Sequence, residues 1–131
     1  MPDVGGVLET ALYVEDLERS VQFYQTIFGF QKLGSDPERL CMMNVAGRQV
    51  LLLFKKGASL ETPAPTDGSG ELHLAFSIAA SDLETWEKWL GENGISIERQ
   101  VTWERGGQSL YFRDPDRHLL ELVTPGVWAI Y

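Results

Sequence analysis

The segment Leu60-Glu-Thr-Pro-Ala-Pro-Thr-Asp-Gly-Ser-Gly70 divides the 131-residue chain near its middle. Two prolines, two glycines and several small polar side chains give it the composition of a loop. On each side of this loop the residues predict the same order of elements, which is a strand, a helix and three further strands. The sequence therefore predicts two βαβββ modules of about 55 residues, which share a core because each would be marginally stable alone.

The first module begins with residues 7–14, whose apolar and β-branched side chains predict a strand. Apolar residues then recur at helical spacing, at Leu17, Val21, Tyr24 and Phe28. Gly29 stands where this helix would end. Three strands are expected at residues 31–34, 39–45 and 48–54, and Ala46-Gly47 predicts a hairpin turn between the last two.

The second module repeats this order after the loop. Residues 72–78 predict a strand, and Ser81 and Asp82 are expected to cap a helix over residues 83–90. Strands are predicted at residues 95–103, 109–113 and 118–123. Asp114-Pro-Asp-Arg117 predicts a tight turn between the last two of these strands.

These elements predict an α+β fold in a single domain. Module 1 covers residues 5–56, the linker 57–70, module 2 residues 71–126, and an apolar tail residues 127–131. A composition of 44% hydrophobic and 23% charged residues is typical of a globular protein with a substantial core.

Composition also narrows the function classes. The formal charge of −8 disfavours nucleic acid as a partner, because the protein repels phosphate backbones. The longest apolar run, residues 50–54, is far short of the roughly 20 residues that a membrane span requires. The N-terminal residues lack the features of an export signal, so we expect a cytoplasmic protein.

Alternation along three predicted strands places one metal-capable side chain on the same side of each. In residues 72–78 every second side chain is apolar, and His73 points to the opposite face. In the same way, Glu9 alternates with Leu8 and the other apolar residues of the first strand, and Glu121 alternates with the leucines on either side of it. If these faces curve toward one another, the two carboxylates and the imidazole meet.

A divalent cation is the natural partner of such a trio. Two carboxylates buried close together repel each other, and a cation removes that repulsion. One histidine with two glutamates suits Mn²⁺, Fe²⁺, Ni²⁺ or Zn²⁺, and three protein ligands leave positions open for a substrate. The alternative is that each glutamate is a solvated rim residue and that the histidine makes a structural hydrogen bond.

Three stretches carry a resemblance to a known family. They are LETALYVEDLERSVQFYQTIFGF (residues 8–30), LHLAFSI (residues 72–78) and GGQSLYFRDPDRHLLELVTPG (residues 106–126). Together they resemble the vicinal oxygen chelate superfamily, which includes glyoxalase I, bleomycin-resistance proteins and extradiol dioxygenases. The resemblance implies two βαβββ modules whose eight strands form one curled mixed sheet around a metal.

In this family the metal ligands come from the first and last strands of each module. The resemblance places them at Glu9, His73 and Glu121, and it places Leu52, which cannot coordinate, at the fourth position. Glu121 is then also the catalytic base, and Tyr111 is a catalytic donor to a substrate oxygen. The residues expected to bind substrate are Tyr13, Leu52, Phe54, Ser77 and Tyr111.

The resemblance implies a homodimeric, metal-dependent enzyme acting on a small vicinally oxygenated molecule by isomerase, lyase or oxygenase chemistry. One alternative is a metal-free protein that sequesters a ligand, as in bleomycin resistance. Another is a partner-binding module that uses the apolar tail. Fosfomycin is disfavoured as a substrate because residues 100–105 supply only Arg105 to bind a phosphonate and residues 128–131 supply no basic side chain. Arg113 and Arg117, which flank the turn, are expected to be solvated. His118 is expected at a turn, away from the metal.

Overall fold

The computed structural model describes all 131 residues. The eight strands are β1 (Glu9–Val14), β2 (Gln31–Asp36), β3 (Leu40–Val45), β4 (Gln49–Lys55), β5 (His73–Ser77), β6 (Arg99–Thr102), β7 (Gln108–Arg113) and β8 (Leu119–Val123). The two α-helices are α1 (Leu17–Phe28) and α2 (Leu83–Glu92), and a 3₁₀ helix (Ala80–Asp82) precedes α2. No helix is long and apolar enough to cross a bilayer.

Both halves of the chain form a sheet of the same topology. The strand order is β1-β4-β3-β2 in the first sheet and β5-β8-β7-β6 in the second. In each sheet the first strand of the module pairs in parallel with the last, and the other neighbours are antiparallel. The α+β fold of paired βαβββ modules is therefore confirmed. The eight strands form two four-stranded sheets, and not the single mixed sheet expected, because the backbone pairing stays within each module.

The N-terminal unit, Met1–Gly70, packs α1 on one face of its sheet. Asp16 caps the helix through a 3.0 Å bond from the Arg19 backbone N–H to its carboxylate, and Gly29 ends it at a φ of 68° that favours glycine. The buried side chains of the helix include Leu17, Val21, Tyr24 and Ile27. The expectation that Leu8 belongs to the apolar face of the first strand was wrong, because β1 begins at Glu9, two residues later than predicted, and the Leu8 side chain is exposed.

The C-terminal unit, Glu71–Tyr131, has α2 after β5. Its core contains the buried side chains Leu83, Leu90, Leu110, Phe112, Leu120 and Leu122. Asp82 stands at the N-cap position but accepts no capping bond, because the 3₁₀ helix already leads into α2. A strand was predicted at residues 95–103, but β6 covers only Arg99–Thr102. It begins later because the N–H of Ile95 still bonds to the Leu90 carbonyl at the end of α2.

Candidate active site

The first and last strands of the C-terminal module place His73 and Glu121 on one face of their sheet. In the parallel pairing of β5 with β8, Ala75 lies opposite Glu121 and His73 lies opposite Leu119. His73, Ala75 and Ser77 are exposed along β5, whereas the alternate side chains are partly covered, as the alternation predicted. Half of the His73 side chain is exposed, whereas only 9% of the Glu121 side chain is. The site therefore combines an accessible imidazole with a nearly buried carboxylate.

The two side chains are in direct contact. His73 Nε2 lies 3.2 Å from Glu121 Oε2, and His73 Nδ1 lies 2.9 Å from the backbone oxygen of Leu119. Because a carbonyl oxygen can only accept, Nδ1 carries the hydrogen of this bond. In the neutral imidazole, Nε2 then presents a lone pair toward a carboxylate oxygen. Either a second proton on the ring or a cation bound by both groups removes that repulsion.

Tyr111 approaches Glu121 from the neighbouring strand. It lies directly opposite Glu121 in the antiparallel pairing of β7 with β8, and its hydroxyl donates a 3.0 Å hydrogen bond to Glu121 Oε1. Burial raises the pKa of the Tyr111 hydroxyl, and the bond to Glu121 raises it further, while a hydrogen bond with Ser109 acts in the opposite direction. Tyr111 is therefore a neutral donor near pH 7. It occupies one oxygen of Glu121 and leaves the other facing His73.

The spacing of the two donor atoms fits a shared metal ion. Protein nitrogen and oxygen ligands bind Zn²⁺ at about 2.0–2.2 Å, so two ligands at right or tetrahedral angles lie about 3.0–3.5 Å apart. The separation of 3.2 Å between His73 Nε2 and Glu121 Oε2 falls within that range. The bond from Nδ1 to Leu119 also fixes the tautomer that leaves Nε2 free to coordinate, as is usual for metal-binding histidines.

The predicted third ligand, Glu9, lies on β1 in the N-terminal unit. In the pairing of β1 with β4, Glu9 lies opposite Val50 and Ala11 lies opposite Leu52. His73 and Glu121 occupy the equivalent positions in the second module, so the repeat relates Glu9 to His73 and Leu52 to Glu121. The chain contains no group of three or more His, Cys, Asp or Glu side chains arranged to hold a metal. The structure therefore brings two of the predicted ligands together, and Glu9 stays a prediction.

Two residues expected to bind substrate in the N-terminal unit contact each other. The rings of Tyr13 and Phe54 stack with their centroids 5.7 Å apart. The Tyr13 hydroxyl is hydrogen-bonded to the side chain of Thr66 in the linker. A Cβ added at Gly68 would lie 2.5 Å from the Tyr13 ring, so only glycine fits there. The linker therefore covers part of the Tyr13 ring, and the substrate contacts of Tyr13, Leu52 and Phe54 stay predictions, as does that of Ser77.

A cavity of about 440 Å³ opens beside Tyr111 within the C-terminal unit. Its lining residues are Glu98, Arg99, Val101, Trp103, Tyr111, Arg113 and Leu119. The expectation that Arg113 is solvated was wrong, because its side chain is 25% exposed and pairs with Glu98 and Glu71. Sequence reasoning missed Arg99, which lies opposite Tyr111 in the pairing of β6 with β7. Strand alternation could have found it once this register was known.

His118, the second histidine, lies at the turn where it was predicted. It is buried, and its Nδ1 accepts a 3.0 Å hydrogen bond from the backbone N–H of Leu72. Its own backbone N–H donates to Asp114, which also accepts from Asp116. His118 therefore joins the Asp114–Arg117 turn to the start of β5 as a structural residue.

Known proteins resemble the chain along nearly its whole length. The sequence profile of the Glyoxalase/Bleomycin resistance protein/Dioxygenase superfamily matches residues 6–122. The metallothiol transferase FosB of Staphylococcus haemolyticus is 30% identical over 125 residues, covering 92% of this chain and 84% of that protein. FosB of Bacillus licheniformis is 31% identical over 124 residues, covering 94% of this chain and 77% of that protein.

Solved structures give the same result. The crystal structure of lactoylglutathione lyase from Agrobacterium tumefaciens superimposes with a TM-score of 0.90 at 28% sequence identity, covering 98% of this chain and 99% of that one. The matches in sequence and in structure agree with the paired βαβββ modules. The chain therefore belongs to the glyoxalase/bleomycin resistance protein/dioxygenase superfamily, the vicinal oxygen chelate superfamily.

Proposed function

We propose that this protein is a divalent-metal-dependent enzyme that binds a small vicinally oxygenated substrate at a metal held by Glu9, His73 and Glu121. The observation that carries the proposal is the contact of 3.2 Å between His73 Nε2 and Glu121 Oε2. The hydrogen bond from His73 Nδ1 to Leu119 leaves Nε2 without a proton of its own in the neutral ring. A cation bound by both groups then stabilises an arrangement that otherwise requires a protonated histidine.

The charges of the proposed ligand set balance. Two carboxylates and a neutral imidazole neutralise a divalent ion, and nitrogen and oxygen donors suit Mn²⁺, Fe²⁺, Ni²⁺ or Zn²⁺. With three protein ligands, the ion has open positions for two neighbouring oxygens of a substrate. When bound, it supplies Lewis-acid stabilisation of negative charge that develops on a substrate oxygen.

Tyr111 and Glu121 supply the remaining groups of the proposed mechanism. Glu121 is the carboxylate that accepts a proton next to a polarised carbonyl in isomerase or lyase chemistry. In the structure the single hydrogen of the Tyr111 hydroxyl is donated to Glu121 Oε1 at 3.0 Å, and in the proposed mechanism it turns to a substrate oxygen when substrate binds. Leu52 stands at the position equivalent to Glu121 in the first module and carries no base. We therefore favour a one-base reaction or an oxygenation over a symmetric proton shuttle between two carboxylates.

Thiol transfer is a second candidate reaction, and the FosB relatives favour it. These proteins are named metallothiol transferases and are about 30% identical over most of this chain. Transfer of a thiol to an electrophilic substrate uses the same metal and the same Tyr111 donor. Incubation of the metal-loaded protein with fosfomycin and a thiol, followed by ³¹P NMR, separates this reaction from isomerisation or oxygenation.

A metal-free, ligand-sequestering protein is the alternative to an enzyme. Phe54 is buried, and the partly exposed ring of Tyr13 that stacks on it is apolar surface of the kind that holds an aromatic guest. Such a protein does not need a histidine and a carboxylate in contact.

We also propose that the protein is a cytoplasmic homodimer. The mass of the purified protein in solution tests whether it is a dimer.

Elemental analysis tests the proposed function most directly. The protein is purified without chelator, and its content of Mn, Fe, Ni and Zn is measured per chain. We expect about one ion per chain after loading, and turnover of a hemithioacetal, a catechol or an epoxide only in the loaded protein. A chain that takes up none of the four ions would overturn the proposal and favour the sequestering protein.

A further inference from the structure

The cavity beside Tyr111 carries positive charge on an acidic protein. Its charged lining residues are Arg99, Arg113 and Glu98, so the lining has a formal charge of +1, whereas the chain carries −8. Glu71, outside the lining, also pairs with Arg113, so the charge that favours an anionic ligand is that of Arg99. Since the cavity adjoins the face that carries His73 and Glu121, such a ligand can reach the candidate active site.

The two arginines of the cavity differ in how many of their donors are already bonded. Arg113 donates from Nε to Glu98 at 3.1 Å and from Nη1 to Glu71 at 3.2 Å and to the Arg117 carbonyl at 2.9 Å. Its charge is therefore balanced by two carboxylates. Arg99 is exposed, and its side chain forms no hydrogen bond or ion pair in the structure, although its backbone belongs to the β6–β7 ladder. It is the guanidinium of this cavity that is free to bind a ligand.

Trp103 forms an aromatic wall of the same cavity. Its indole Nε1 donates a 2.8 Å hydrogen bond to the hydroxyl of Ser109, which is fully buried. This bond holds the ring in place, although 39% of the residue stays exposed. A fixed and partly exposed indole is a suitable surface for a planar ring. The wall continues to Tyr111, whose hydroxyl contacts Glu121.

The strand register sets the distance between the free guanidinium and the candidate active site. Arg99 lies opposite Tyr111 on β6, and Tyr111 lies opposite Glu121 on β8. Neighbouring strands are about 4.8 Å apart, so the Cα atoms of Arg99 and Glu121 are separated by about 10 Å. A molecule with one benzene ring, with neighbouring oxygens at one end and an anion at the other, has a suitable length.

We infer that Arg99 and Trp103 form a subsite for the carboxylate of a planar aromatic substrate. The inference rests on the proposed function, because it places the reacting oxygens of that substrate at His73 and Glu121. A guanidinium forms two parallel hydrogen bonds with a carboxylate, which fixes the orientation of the ring against Trp103. Since Arg113 is already neutralised, a single free cation matches a singly charged carboxylate better than a doubly charged phosphonate.

Ligand binding to the metal-free, full-length protein tests the subsite separately from the metal. Benzoate and benzamide, its neutral counterpart of nearly the same shape, are titrated into the protein in separate experiments. The indole signal of Trp103 is followed by ¹H–¹⁵N NMR in both. We expect both ligands to shift this signal and benzoate to bind at least about fivefold more tightly. In Arg99→Gln this preference falls to within about twofold, and Arg99→Lys keeps part of it because the charge remains.

The matched control is Arg48→Gln, which removes an exposed arginine from a turn in the N-terminal unit. It should leave the preference for benzoate unchanged. Equal binding of benzoate and benzamide, absence of any shift at Trp103, or a preference that survives in Arg99→Gln would each overturn the inference. Phenylphosphonate that binds about tenfold more tightly than benzoate would overturn the assignment to a carboxylate. If the wild-type chain takes up no metal but still prefers benzoate to benzamide, the result contradicts the proposed function and leaves the subsite standing.

Discussion

The imidazole of His73 faces the carboxylate of Glu121 with 3.2 Å between Nε2 and Oε2, on two strands that are separated by more than 40 residues of chain. The parallel pairing of β5 with β8 creates this contact, because it sets His73 opposite Leu119, and Glu121 lies two residues further along β8 on the same face. Tyr111 fixes the other oxygen of the carboxylate. The βαβββ topology therefore positions these two of the three proposed ligands on strands, without a contribution from a loop.

Removal of either contacting group should abolish metal retention. His73→Ala and Glu121→Ala each delete a proposed ligand, so we expect less than about a tenth of the wild-type metal content after dialysis, because loss of one of three protein ligands weakens binding strongly. Metal content is measured by elemental analysis, and far-ultraviolet circular dichroism confirms that each variant is folded.

The matched control for these variants is His118→Asn. His118 is buried and accepts the Leu72 N–H, so we expect this variant to keep its metal but to lose about 1–3 kcal/mol of stability through an impaired buried hydrogen bond. Wild-type metal content in His73→Ala or Glu121→Ala would contradict the assignment of these residues. Loss of metal from His118→Asn alone would exchange the roles of the two histidines.

Replacement of Tyr111 should separate catalysis from metal binding. Tyr111→Phe keeps the ring that lines the cavity but removes the hydroxyl that donates to Glu121. We expect unchanged metal content and a kcat about 10- to 1,000-fold lower, since loss of one preorganised donor typically costs this much. A kcat equal to that of the wild type would show that the hydroxyl acts only as a structural partner of Glu121.

The repeat and the strand faces could be predicted because they depend on local pattern. The order of elements in both modules, the turn at Ala46-Gly47 and the side of β5 that carries His73 all follow from spacing and alternation. The repeat also predicted that Leu52 occupies the position of Glu121, and the registers of the two parallel pairs agree with it.

Two features of the cavity could not be predicted from pattern, because they depend on which strands become neighbours. Arg99 is adjacent to Tyr111 only through the pairing of β6 with β7. The start of β6 was placed four residues too early, because the N–H of Ile95 still bonds to the Leu90 carbonyl at the end of α2. Arg113 was expected in solvent because it borders a turn. Its carboxylate partners, Glu71 and Glu98, lie far from it in sequence, and only the folded sheet brings them near.

The thiol of Cys41 should be unreactive in the folded protein. Burial raises its pKa, although the nearby Lys32 acts in the opposite direction, and the side chain is 1% exposed. Because the folded pKa lies above the unfolded one, the folded state retains the proton longer, and stability falls as the pH rises above the usual thiol range. We expect negligible labelling by iodoacetamide at pH 8 until urea unfolds the chain.

Unfolding curves measured at several pH values test the same shift. The wild type should lose more stability than Cys41→Ala between neutral pH and the alkaline range, because only the wild type carries this thiol. Parallel losses in the two proteins, or rapid labelling of the native chain, would show that the thiol is more accessible than its position on β3 indicates.

The hairpin between β3 and β4 offers a stabilising substitution. Ala46 and Gly47 both adopt positive φ, at 53° and 69°, as the two central residues of this turn, and the Asn44 side chain accepts the N–H of Gly47 at 2.8 Å. Alanine is strained in this left-handed conformation, whereas glycine is not. Because Ala46 is exposed, Ala46→Gly should raise the free energy of unfolding by about 0.5–1 kcal/mol, measured by urea denaturation.

Gly47→Ala is the matched control and should lower the free energy of unfolding by about 1 kcal/mol, since it introduces the same strain at the neighbouring position. A decrease in stability for Ala46→Gly would show that the greater freedom of glycine in the unfolded chain outweighs the strain that alanine carries in this turn.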